Sequence, residues 1–348
     1  MFKPIEFALG VVLTTALSTP ALARDLTVVS WGGVFQEAQR AVFFQPFSGA
    51  TKVAVKEDSW DGGVGALRAK VQAGEANNWD LVQVEADELA VGCEEGLFER
   101  IKPDTVGGTA RYFPGMISDC GVPANVYSIV AAYDADKLKA APQTWADFWD
   151  VKKFPGKRAL RQGPKMNLEF ALMADGVPAD KVYATLKTPA GVERAFAKLQ
   201  ELKPNIVWWT SGNQPMQLLG TGEVAMTTTY NGRVPAASAA DKRNFKIVWN
   251  GAMLNQDSWV ILKGSKQAGD AVKFLEYFGR PEVQSQWPAK LNYGVGVVKA
   301  QAMVPAALAE NLPSSPANLK RALPLNTAFW LDNLDKLQAR FAAWAAAK

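Results

Sequence analysis

The chain contains no histidine. That removes the side chain most often used as a general base and transition-metal ligand near neutral pH. Nucleophile and phosphate motifs are missing as well, with no G-x-S-x-G, no Walker loop and no D-x-D-x-D-G calcium loop. Ser211-Gly212-Asn213 follows a strand-like run, but no evident base accompanies it. Catalysis is therefore not expected, a hydrolase being the remote alternative, and no cofactor is implied. Cysteine is scarce, with only Cys93 and Cys120. Past the N-terminal segment no apolar run approaches the ~18 residues that a membrane-spanning helix needs. An excess of one charge is lacking too. The 38 Lys and Arg are spread along the chain against 34 Asp and Glu, without the basic stripe of a nucleic-acid binder.

What is present begins at the N-terminus. Lys3 precedes an apolar stretch over 7–17 and the exit Ala21-Leu22-Ala23. A positive start, a short apolar core and a small-residue exit describe a secretory signal peptide over 1–23, cleaved after Ala23. The residue directly after the cleavage point is Arg24 and not a cysteine, so no lipid anchor is expected. The mature protein is expected free in the periplasm, as a monomer. In that oxidising compartment Cys93 and Cys120 are expected to bridge, the alternative being two free buried thiols. A mature chain of about 325 residues fills two domains of ordinary size, or one large one.

Short β-branched runs alternate with amphipathic segments. Strands are expected over 26–30, 53–55 and 81–84, with a helix carrying Phe35, Ala38, Gln39, Val42 and Phe43 at helical spacing. A strand over 127–132 precedes a second alternating block, with strands over 159–161, 206–209, 224–229 and 245–249. The segment 251–257 then returns to the first block through a strand over 259–262, and 294–298 is expected as the last strand. From Ala317 the tail reads as helical, with Trp330, Leu334, Leu337, Phe341 and Trp344 on one face. Such alternation indicates βαβ units on parallel sheets. A chain that enters one α/β block, crosses to another and returns makes a hinged, two-lobed clamp. The cleft between such lobes, at the carboxyl ends of the strands, is a standard ligand site. Lobe 1 is expected over 24–132 and 257–300, lobe 2 over 133–256, and a helical segment packing on lobe 2 over 301–348.

Candidate site residues follow from strand ends. Trp31 and Trp60 sit at strand-to-helix turns beside Gly pairs, where an aromatic face can line a cleft and hold a cation. Gly32 and Gly33 could offer backbone N–H groups to an anion at the start of a helix. Glu85 and Asp87 follow one apolar strand, Arg233 and Tyr230 follow another, and Asp257 with Trp259 opens a third.

Taken together, several segments resemble the spermidine/putrescine-binding family of bacterial periplasmic solute-binding proteins. They are Val29-Ser30-Trp31-Gly32-Gly33, Asn78-Trp79-Asp80-Leu81-Val82, Thr144-Trp145-Ala146-Asp147-Phe148, Phe154-Pro155-Gly156-Lys157-Arg158, Gly222-Glu223-Val224-Ala225-Met226, Tyr230-Asn231-Gly232 and Asp257-Ser258-Trp259-Val260-Ile261. The resemblance implies a periplasmic binding protein of the type II-like, two-lobed fold that feeds an inner-membrane ABC permease. Its ligand would lie between the lobes, with aromatic rings on its methylenes and carboxylates on its ammonium groups. By position Trp31 and Tyr230 resemble the aromatic walls, Asp257 the amine-binding carboxylate and Tyr293 a pocket tyrosine. Glu85 and Asp87 depart from the pattern, standing where a hydroxyl and a tyrosine are usual. Gly163-Pro164-Lys165-Met166-Asn167 departs too, at a helix start that often supplies acids. Arg233 places a cation where a polyamine pocket would not want one, and an Arg can grip a carboxylate bidentately. Two ligand classes are therefore implied, a polyamine such as putrescine or spermidine, and an ω-amino acid such as 4-aminobutyrate. A carboxylate or metal receptor is the further alternative.

Overall fold

A computed structural model describes residues 24–74, 77–138 and 140–347. The expected signal peptide over 1–23 lies outside the described residues.

β1 (Leu26–Ser30) is buried along its whole length, as a strand covered on both faces must be. It pairs in parallel with β2 (Val55–Ser59) and β3 (Leu81–Glu85). A second parallel group consists of β5 (Arg158–Arg161), β6 (Ile206–Trp209) and β7 (Met226–Tyr230). Between the groups run two long antiparallel strands, β4 (Val122–Asp134) and β8 (Phe245–Ile261), and β9 (Leu323–Pro324) pairs with β8. The strand order is β2-β1-β3-β8-β4-β7-β5-β6.

These long strands correct two expectations. The strands read over 245–249 and 259–262 are one strand, and 251–257 is not a connection outside the sheet. Asn250-Gly251 reads as a turn, yet the chain continues. Gly251 takes φ 71, a conformation cheap only for glycine, and the pairing register with β4 shifts there. One end of β8 pairs with β3, while β4 pairs with β7, so the two long strands tie the parallel groups together. The strand expected over 294–298 is not formed. Only isolated bridges at Gly294 and Val297 occur, and a helix (Val298–Met303) begins there. β2 also starts two residues later than 53.

Cys93 and Cys120 form a disulfide that pins the helix Ala86–Glu94 to the segment entering β4. The bridge closes a loop with a sequence separation of 27. On the chain-entropy account, replacing both cysteines by alanine should cost about 3.5 kcal/mol. Urea denaturation of the double variant checks this, and a loss under about 1 kcal/mol would show that the cross-link does not constrain the unfolded chain as that account requires.

The C-terminal helix Thr327–Ala346 sets its rings against the block that carries β5 and β6. Phe329 meets Tyr183, Phe341 meets Trp208 and Trp344 meets Phe196, at centroid distances of 5.3 to 6.0 Å. Under it lies Glu169, whose Oε1 accepts from Trp330 Nε1 at 2.7 Å and from the Tyr183 hydroxyl at 2.9 Å. Its Oε2 is buried without a hydrogen-bond partner among the described residues. Burial pushes this carboxyl up to about 7, against which the Trp330 and Tyr183 hydrogen bonds act only in part. The folded state therefore favours the protonated acid. That stabilisation is full below the ordinary carboxyl range and is lost as pH rises through about 7. Between pH 5 and 8 the wild type should lose up to roughly 3 kcal/mol that Glu169→Gln does not lose. Denaturation curves at both pH values test this, and parallel losses in the two proteins would refute it.

Candidate functional site

The parallel strands of both groups end around one cavity. Trp31 follows β1, Trp60 follows β2 and Glu85 closes β3; from the other group Arg161 closes β5, Thr210 follows β6 and Tyr230 closes β7. This is the carboxyl-end crevice where open α/β sheets hold ligands. Asp257 from β8, Arg233, Asp61, Phe35, Tyr127 and Tyr293 add to the charged and aromatic lining. The space outside any atom is about 460 Å³, the open solvent at its mouth included.

One wall is aromatic. Trp31 and Trp60 stack at 5.4 Å with planes 12° apart, and Tyr127 meets Tyr230 at 5.6 Å. Behind them Tyr293 stacks on Trp287 at 6.1 Å and meets the edge of Phe35.

At one end lies Asp257. Its Oδ2 accepts from Trp31 Nε1 at 2.9 Å and from Gln83 Nε2 at 2.8 Å. Its Oδ1 is buried with no donor among the described residues. Burial, and then the charge of Glu85, push this carboxyl well above its ordinary range. Glu85 is the residue directly opposite, in the antiparallel register of β3 and β8. It is fully engaged, accepting from Arg161 Nη1 at 2.8 Å and from Lys165 Nζ at 2.6 Å. Burial alone would raise the Glu85 carboxyl, but Arg161 and Lys165 hold it well below the usual range.

Arg233 also lines the cavity and is only 3% exposed. Its Nη1 donates to the neutral Asn213 side chain, and its Nε has no acceptor among the described residues. Tyr230 places its ring 5.7 Å from the guanidinium. No carboxylate of the described residues pairs with this buried cation, whereas Arg161 already holds Glu85.

The sequence-derived candidates Trp31, Trp60, Glu85, Tyr230, Arg233, Asp257 and Tyr293 thus come together. Four others do not line the cavity. Gly32 gives its N–H to Gln36 Oε1 at 3.1 Å, inside the chain's own turn. Gly33 lies against Asn213, whose Oδ1 would stand 2.2 Å from a Cβ, so its backbone faces protein rather than an anion. Asp87 points to Lys165, with both carboxylate oxygens at 2.9 Å from Nζ. Trp259 shares a face of β8 with Asp257 but lies deeper, in the core against Phe44, Phe274 and Phe278. The sequence reading missed Arg161, Thr210, Asn125, Tyr127, Phe35, Asp61 and Gly212. The strand-end rule was enough to find the first two, since 159–161 and 206–209 were read as strands.

Comparison with known proteins follows this geometry. The family model described as bacterial extracellular solute-binding protein matches residues 43–313. The gamma-aminobutyric acid-binding protein of Pseudomonas aeruginosa is 44% identical over 336 residues, covering 96% of this chain and 94% of that protein. The putrescine-binding periplasmic protein PotF of Escherichia coli is 25% identical over 336 residues, covering 87% and 86%. The solved structure of the Atu4243 GABA receptor superposes with a TM-score of 0.80 at 30% identity, covering 93% of this chain and 98% of that one. The two-lobed fold expected from the sequence is the fold of these relatives.

Proposed function

Because this chain belongs to the bacterial extracellular solute-binding protein family, we propose that it is the periplasmic receptor of an ABC importer and that its cavity takes an ω-amino acid of the 4-aminobutyrate type. One observation carries the ligand class. A single cavity holds a buried guanidinium with no carboxylate partner, Arg233, and a buried carboxylate oxygen with no donor, Oδ1 of Asp257. A ligand with an ammonium at one end and a carboxylate at the other satisfies both. Its methylenes would lie along Trp31 and Tyr230, whose faces suit an apolar stem next to a cation. A diamine lying along the same path would satisfy Asp257 but set its second cation against Arg233. The name of the 44% identical relative, a gamma-aminobutyric acid-binding protein, supports this choice, whereas the putrescine-binding protein is only 25% identical.

On this reading 24–132 with 257–300 form one lobe and 133–256 the other, joined through β4 and β8, with the C-terminal segment on the second lobe. Export by a cleaved signal peptide and a monomeric state complete the proposal. Among the described residues no helix is long and apolar enough to cross a membrane.

A thermal-shift screen over ω-amino acids, diamines and simple carboxylates tests the ligand class. A ligand that binds only the folded state stabilises it by about 2.7 kcal/mol at one hundred times its Kd. The 4-aminobutyrate arm should give the large shift and putrescine a small one, and the reverse order would reject the zwitterion. Because the ligand touches both lobes only when they are closed, the radius of gyration from small-angle scattering should fall on binding. An unchanged radius at saturation would argue against hinge closure.

A further inference from the structure

The acidic end of the cavity holds more carboxylate than an ω-amino acid can use. Glu85 stands opposite Asp257 across β3 and β8, and Asp87 follows in the first turn of the next helix. The Glu85 and Asp87 side chains are 5% and 9% exposed. With Glu88, four buried carboxylates cluster here, of which Asp257 and Glu85 line the cavity and Asp87 lies behind them. Two cations come from the protein itself, Arg161 on Glu85 Oε1 and a lysine on Glu85 Oε2 and Asp87. Lys165 reaches over from the block that carries β5 and sets its Nζ 2.6 Å from Glu85 Oε2 and 2.9 Å from both oxygens of Asp87. Its side chain is 15% exposed. The next residue, Met166, has φ 73 and ψ −38, a strained conformation for a non-glycine residue. The backbone is thus held in a costly shape at the point where this lysine crosses the cleft.

We infer that Lys165 determines the charge selectivity of the cavity, its own ammonium filling the Glu85–Asp87 subsite that the second amine of a diamine would otherwise occupy. The inference rests on the zwitterion reading in one respect, that Asp257 is left for the ligand's ammonium. A diamine must displace a lysine that is already in place. A tethered group competes at an effective concentration on the order of millimolar or above, which a scarce free ligand does not match. Displacement would also leave a buried cation without partners, a strongly unfavourable state. Arg161 cannot replace Lys165 here. It engages only Glu85 Oε1 and leaves Glu85 Oε2 and Asp87 without a cation.

The test is isothermal titration of putrescine and 4-aminobutyrate against the wild type and Lys165→Met, which keeps the length of the side chain and deletes its charge. The putrescine-to-4-aminobutyrate affinity ratio should rise by at least tenfold, through a gain in putrescine binding. A smaller change in ratio, or a parallel loss of both ligands, would overturn the inference, because a lysine that only helps the lobes close affects both ligands alike. Should Lys165→Met fail to melt cooperatively, Lys165→Gln takes its place with the same two outcomes. The wild-type titration alone judges the zwitterion reading. The shift between wild type and variant judges Lys165.

Discussion

Asp257→Asn is expected to weaken 4-aminobutyrate binding by roughly 30-fold to several thousand-fold, or about 2–5 kcal/mol. The amide has nearly the shape of the carboxylate, so the loss is one of charge and direction. Trp31 Nε1 and Gln83 Nε2 both donate to Oδ2 and require an oxygen there. The NH₂ of the asparagine must then take the place of Oδ1, where it opposes the ligand's ammonium donor to donor. Stability should move the other way. Burial and Glu85 already push the Asp257 carboxyl well up, so a neutral side chain should leave the melting temperature of the ligand-free protein unchanged or higher. Calorimetric titration together with a melting curve separates the two effects. Binding within 1 kcal/mol of wild type would mean that the ammonium docks elsewhere.

The second large effect is at Arg233, and its sign depends on the ligand. With a carboxylate on the guanidinium, Arg233→Ala should cost 4-aminobutyrate about 2–5 kcal/mol, since a buried charge-assisted pair loses one member. For a diamine the same change deletes a repulsive cation and should be neutral or should tighten binding. The contrast is sharpened by Gly212, where a Cβ would stand 3.0 Å from Arg233 Nη2. The guanidinium is closely confined and cannot simply swing away from an unwelcome ligand. Titration of both ligands against Arg233→Ala gives the answer. Equal loss of both would point to a collapsed cavity rather than to a missing charge.

Much of the site follows from where strands end. Trp31, Glu85 and Tyr230 were legible because an apolar run stopping at a polar or aromatic residue signals a strand end, and parallel strand ends meet at the crevice. The same signal marked Arg161 and Thr210, which were nonetheless passed over. Asp87 and Trp259 show the limit of the rule. Nearness in sequence to a cavity-lining residue does not decide what a side chain faces. Lys165 captures Asp87 from 78 residues away, and the helix Ala268–Phe278 covers Trp259.

The middle of the sheet was legible only in part, for a related reason. Asn250-Gly251 carries a local turn signal, while β8 is held through that point by pairing with β4 and β9. Local propensity is weak beside a long pairing partner, and it contains no information about that partner.

By itself, then, the sequence determined the alternating α/β class, the family, the cysteine pair and the presence of acidic, basic and aromatic residues at strand ends. Each of these depends on the order of residue types along a short stretch, or on their count. Only the tertiary structure decided which charges are already satisfied. Glu85 and Asp87 are neutralised across the cleft by Arg161 and Lys165, while Asp257 Oδ1 and the Arg233 guanidinium are left open. A free charge and a paired charge look the same in sequence. The difference lies in contacts between residues about 80 positions apart, and those exist only once the two halves of the chain face each other.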